Sequence, residues 1–204
     1  MRNPRRTTAR RSRRHARGQA MVEFALVILP FMVLFVAIAE FAFMFSSYLS
    51  ISFASRDGVQ VAAEMGNDGS ADFVILQRIE QDISAPLDKT KITSVDIYWS
   101  DGAGNVKLGA INSWTRGGST SFTLPSGTIL TVPYQQTASS YPPANRCNVI
   151  SAAGCAVNHT SIDTIGVKIT YQYAWITPLP SLIGGSGSGM QMSQSNMMRL
   201  EPVL

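Results

Sequence analysis

The chain is short of charge, of cysteine and of histidine, and each shortage removes a class of function. Asp, Glu, Lys and Arg make up 15% of 204 residues, while 45% are hydrophobic, a balance unusual for a soluble globular chain. His159 is the sole histidine beyond the first 18 residues. No His-x-x-x-His, Gly-x-Ser-x-Gly or Gly-x-x-x-x-Gly-Lys pattern occurs, and no acids pair at informative spacing. Zinc hydrolysis, serine hydrolysis and nucleotide binding therefore lose their usual residues. No catalytic set, metal or cofactor is expected. Cys147 and Cys155 are the only cysteines. With His159 they fall short of four zinc ligands. In a domain outside the cytoplasm they are expected to form one disulfide around a small loop, against the alternative of two unrelated thiols.

What charge there is lies unevenly. Residues 1–18 hold eight Arg and no acid, and the remainder carries nine Lys or Arg against thirteen Asp or Glu. The net +4 is thus a basic arm on an acidic body. A basic arm suits nucleic acid, but this one runs straight into an apolar segment, so it is assigned to topology: short Arg-rich loops stay cytoplasmic. The Arg-Arg pairs lie in surroundings too generic for a twin-arginine export signal.

Ala20 to Phe45 reads AMVEFALVILPFMVLFVAIAEFAFMF. Twenty-six helical residues rise about 39 Å, enough for one span with slack. Pro30 is tolerable inside a membrane helix as a kink. A buried core helix is disfavoured because the segment is apolar on every face. A cleaved secretory signal ending at Ala37-Ile38-Ala39 is disfavoured because Phe41 to Phe45 remain apolar. Two acids need accounting, since a carboxylate in hydrocarbon costs at least ~2.5 kcal/mol. Glu40 lies near the outer end, where it reaches headgroups or titrates neutral. Glu23 lies near the inner end, within reach of Arg17.

The residues around Glu23 are Gly18-Gln19-Ala20-Met21-Val22-Glu23-Phe24. A Gly after a basic leader, Glu at the fifth following position and an apolar helix resemble a type IV-type prepilin. The wider stretch from Arg17 to Val27, with Leu29-Pro30, is similar to the start of TadE-like proteins, which are pseudopilins or minor pilins of the tight-adherence (Flp) pilus machinery. Ala39-Glu40-Phe41, Ala54-Ser55-Arg56-Asp57-Gly58 and the closing Met197-Met198-Arg199-Leu200-Glu201-Pro202 extend the resemblance. It implies processing between Gly18 and Gln19, a filament-register role for Glu23, and a prepilin peptidase, other pilins and an inner-membrane assembly platform as partners. It places the chain in the bacterial cytoplasmic membrane as a single-pass protein, N-terminus inside, with the cell surface or a pilus beyond. The rival is a monotopic surface-binding protein whose span is only an anchor.

Past Phe45 the pattern becomes amphipathic. Leu49, Phe53, Val61 and Met65 recur at helical spacing, with Gly58 a weak point. Gly66-Asn67-Asp68-Gly69 breaks the helix, and Asp68 or Ser70 caps a second one reaching about Ser84, with Phe73, Leu76, Ile79 and Ile83 on one stripe before Pro86. Strands are expected where Val95, Ile97 and Trp99 alternate with polar partners, at 121–124 and 128–132, at 165–175, and from about Met190 to Leu200 after the Gly184–Gly189 run. Asp101 to Asn105 reads as a hairpin turn in preference to a calcium loop. Asn158-His159-Thr160 fits a glycosylation sequon by coincidence, and Trp114 and Tyr141 are assigned to the core in preference to a binding surface. The expected fold is α+β: leader 1–18, transmembrane helix 19–45, helical stalk and second helix 46–85, and an extracytoplasmic β-rich domain 86–204 with a mostly antiparallel sheet.

Overall fold

The computed structural model describes residues 9–83, 87–150, 155, 159–178, 181 and 189–202, with side chains from Gly18 onward. The leader side chains, Ser84, Pro86, Asn158 and the Gly184–Ser188 run lie outside the described residues. The chain is α+β. Helix α1 runs unbroken from Ala9 to Met65 through Pro30, and α2 spans Ala71–Asp82. Five antiparallel strands follow: β1 Ile92–Ser100, β2 Val106–Thr123, β3 Ile129–Ser139, β4 Thr164–Tyr173 and β5 Met190–Arg199, in the sheet order β3-β2-β1-β4-β5. Two compact units result: residues 1–42 with 175–187, and residues 43–174 with 188–204. The second is the head.

In the head, the last turns of α1 bury Ile51, Ala54, Ser55, Val59, Ala62 and Ala63. The stripe expected from bulk, Leu49, Phe53, Val61 and Met65, is not the buried one: Leu49 and Phe53 are exposed, and Val61 and Met65 are intermediate. Small side chains won because they let the helix axis approach the sheet. Gly58 is the clearest case. A Cβ there would lie 3.1 Å from Cγ1 of Ile79 and 3.5 Å from Cγ1 of Val167. The weak point in helix propensity is where α1 meets Ile79 of α2 and Val167 of β4. The Ser55 hydroxyl donates to the Val167 carbonyl at 2.7 Å, and the Glu201 N–H donates to the Ala63 carbonyl at 3.0 Å.

Helix α2 buries Phe73, Ile75, Leu76 and Ile79, and Ile83 is buried just past its end. Ser70 stands at its N-cap without a side-chain capping bond, and neither candidate caps the helix directly: the Asp68 carboxylate, two residues earlier, accepts from both the hydroxyl and the N–H of Ser70. The hydroxyl bond is the larger cause, and together they hold the Asp68 pKa below the usual carboxylate range. A lowered folded-state pKa means the unfolded chain binds the proton more readily. This contribution is whole above the unfolded value of about 3.9 and fades as pH falls through the lower folded value. Asp68→Asn, whose amide oxygen still accepts but carries no charge, should therefore destabilise the head slightly near neutrality. Thermal melts should show that difference shrinking as pH falls below the ordinary aspartate range.

Strand β4 follows its alternation, with Ile165, Val167, Ile169, Tyr171 and Tyr173 all buried. Val167, Ile169 and Ile165 stand opposite Ile97, Val95 and Trp99 of β1. Gly166 is opposite Tyr98, and a Cβ there would come within 2.3 Å of the phenol ring. Only glycine lets Tyr98 lie across β4. The turn after β1 is closed by Asp101, which accepts from the N–H groups of Ala103 and Asn105 and from the Asn105 amide. Those bonds make the side chain part of a hairpin turn. Strands β2 and β3 are longer than their sequence suggests. Leu108 and Gly109 adopt φ of 53° and 69° in a bulge where the β1 register shifts between Tyr98 and Ser100. Pro133 lies in β3, the sheet's edge, where a missing N–H costs least.

Candidate membrane helix and head network

Among its described residues, the first unit presents mainly apolar surface. Met21, Val22, Phe24, Leu26, Val27, Leu29, Phe31 and their successors to Phe41 stand largely in the open. The helix from Gly18 is long and apolar enough to cross a membrane, and its most apolar window buries nothing against the protein. Water would charge about 25 cal/mol for each Å² so exposed, so the segment needs an apolar environment.

Gly18 has open space on all sides of its missing Cβ. Gln19 and Ala20 are exposed, and the Gln19 amide donates to Glu23 at 3.0 Å, four residues on. Residue 19 and Glu23 thus share one helix face, one turn apart. Pro30 interrupts the hydrogen-bond ladder without ending the helix. Glu40 is only 5% exposed. Its carboxylate oxygens accept from the backbone N–H groups of Ile176 at 3.0 Å and Thr177 at 2.8 Å. The acid expected at the headgroups is thus held by the chain itself. Nothing in the sequence joins residue 40 to residue 177. The available signal was an uncharged Trp-Ile-Thr-Pro turn beside a membrane helix carrying an acid near its end.

Phe45 begins a second feature, inside the head. Phe45, Tyr48, Leu49 and Phe53 are 52%, 41%, 40% and 60% exposed, so α1 keeps an apolar stripe for two turns past the expected end of the span. Met44, Phe45 and Tyr48 also line an apolar groove of about 450 Å³ with Met190 to Ser193 of β5.

A connected polar network runs through part of the head's interior. Arg146 pairs with Asp72, and both are 3% exposed. Asn112 donates to the other Asp72 oxygen at 2.8 Å and accepts from the Tyr141 N–H at 2.9 Å. The Tyr141 hydroxyl and the Cys147 N–H both donate to Asp163, at 2.8 and 2.9 Å, and His159 Nδ1 lies 2.6 Å from its other oxygen. Burial first, then the Asp163 charge, pushes the Tyr141 phenol far above its ordinary value. Cys147 and Cys155 are joined in the structure, with Cα atoms 5.2 Å apart. Trp114 and Tyr141 are each 2% exposed, as core residues are. His159 stacks on Trp99 with ring centroids 4.4 Å apart. Among the described residues no three His, Cys, Asp or Glu side chains converge to hold a metal. The network ties Tyr141, Arg146, Cys147, His159 and Asp163 to Asp72 of α2 and Asn112 of β2.

One exposed apolar helix continuing into a folded α+β head fits a membrane-anchored protein. Residues 18–60 match the family model described as TadE-like protein, and this N-terminal segment is similar to that family. No curated protein and no solved structure matches the chain.

Proposed function

We propose that the chain is a structural pseudopilin or minor pilin, TadE-like, that takes part in assembling or priming a tight-adherence (Flp) pilus. The observation that carries this reading is the apolar stripe of Phe45, Tyr48, Leu49 and Phe53 on the same helix that matches the family. A plain anchor uses Phe45 and Tyr48 as interfacial aromatics and has no use for Leu49 and Phe53 exposed further along the helix, whereas helices packed side by side bury the whole stripe. A structural role also follows from the family, and no enzymatic step is assigned. The Arg-rich leader lies in the cytoplasm and the head outside. The partners are a prepilin peptidase, other pilins and an inner-membrane platform.

Cleavage after Gly18 removes all eight leader Arg together, and with them an attraction to anionic lipid of about 1 kcal/mol per base. The new ammonium at Gln19 then stands one turn from Glu23, of its own chain or a neighbour's. That pairing neutralises a carboxylate among apolar helices and sets axial register. N-terminal sequencing of the membrane-extracted protein should read Gln-Ala-Met-Val-Glu. An intact Arg arm would support the anchor-only rival, and a start at Glu40 a secreted protein. Glu23→Ala should sharply reduce incorporation into sheared filaments while leaving membrane levels unchanged. Unchanged incorporation would remove the register role.

Outside the cytoplasm Cys147 and Cys155 persist as a disulfide. Intact mass without reductant should be lower by two hydrogens than after reduction. Cys147→Ser with Cys155→Ser should cost the head about 2–3 kcal/mol in thermal unfolding.

A further inference from the structure

Glu40 lies 22 residues beyond Gly18 on one unbroken helix, about 33 Å along its axis, while the hydrocarbon core of a bilayer is about 30 Å thick. If Gly18 marks the inner face, Glu40 comes to the boundary between acyl chains and headgroups of the opposite leaflet. At that depth the carboxylate is held by the N–H groups of Ile176 and Thr177, and the segment that supplies them belongs to the same compact unit as the helix. The turn must therefore lie at the same depth.

Its composition suits that place. No Asp, Glu, Lys or Arg occurs between Lys168 and Arg199. Ile176 is 61% exposed, an apolar side chain directed away from the chain on the residue whose N–H is tied to Glu40. Pro178 is exposed beside it and lacks an N–H. Trp175 adds the side chain most enriched at membrane interfaces. Non-helical backbone at such a depth needs its polar groups satisfied, and Glu40 satisfies two of them. Acid and turn solve each other's problem.

We propose that the Trp175–Pro178 turn is a second membrane-contacting element, seated at the headgroup–acyl boundary of the outer leaflet and fixed to the spanning helix through Glu40. Its partner is lipid. The inference rests on α1 spanning the bilayer with Gly18 at its inner face and needs no pilus.

The test uses the full chain in phosphatidylethanolamine/phosphatidylglycerol vesicles, some with lipids brominated near the headgroup end of the acyl chain and some near its terminus. Trp99 and Trp114 are buried in the head, so the difference between wild type and Trp175→Phe isolates Trp175. Bromine near the headgroups should quench that difference signal severalfold more than bromine at the chain ends. Glu40→Ala should weaken the quenching severalfold while the protein still floats with the vesicles, and Glu40→Gln, which keeps an acceptor oxygen, should weaken it less. Flotation without quenching of Trp175 would leave the anchor standing and overturn the inference, as would a shielded, unquenched Trp175 covered by a second copy. Failure to float would overturn both.

Discussion

Arg146→Ala should lower the stability of the head by about 3–5 kcal/mol, the usual cost of stripping one partner from a buried ion pair. The Arg146 side chain is fully buried and that of Asp72 is 4% exposed, so solvent cannot take over. Asn112 would remain as a donor to one Asp72 oxygen, leaving the other without its cation. Removing both charges, as Arg146→Met with Asp72→Leu, should recover most of the loss, because a buried pair replaced by apolar side chains of similar volume is often neutral. Denaturant melts of the full chain in detergent, followed by near-ultraviolet circular dichroism, separate the two outcomes. An Arg146→Ala protein as stable as wild type would show that the network does not fasten the head.

The second large effect concerns the inner end of the helix. Gly18→Leu should abolish leader removal, leaving the protein in the membrane with its arm intact and absent from sheared filaments. Gly18 sits within α1 with open space around it. A peptidase needs extended backbone at the bond it cuts. Glycine lowers the cost of unwinding there by about 1 kcal/mol relative to alanine, and leucine restores the helix while adding bulk. Normal processing of Gly18→Leu would show that the bond lies elsewhere or that no such step occurs.

The legible parts of this protein were those where one period dominates. The run from Ala20 to Phe45 is apolar on all faces, and its helix was plain. So was β4, where Ile165 to Tyr173 alternate without interruption. Strand β2 hid because Leu108 and Gly109 break the pleat and because Gly117 and Gly118 bring a second register shift against β3. The buried face of α1 in the head is not legible from side-chain bulk, which points to Leu49 and Phe53, because close packing selects Ala54, Gly58 and Ala62. The contacts of Glu40 with residue 177 and of Asp72 with Arg146 cross most of the fold. Pairings at such separations leave no period in a single sequence.

The two flanks of the sheet are unlike. On β3 a proline withholds one N–H from any newcomer, whereas β5, with Met197 and Met198 38% and 42% exposed, has no proline and one basic residue, Arg199, at its end. Among the described residues no strand pairs with its outer edge. Such an edge invites another chain. The two edges are therefore unequal acceptors: a strand laid beside β5 would meet an unbroken row of N–H groups, whereas one laid beside β3 would lose a bond at Pro133.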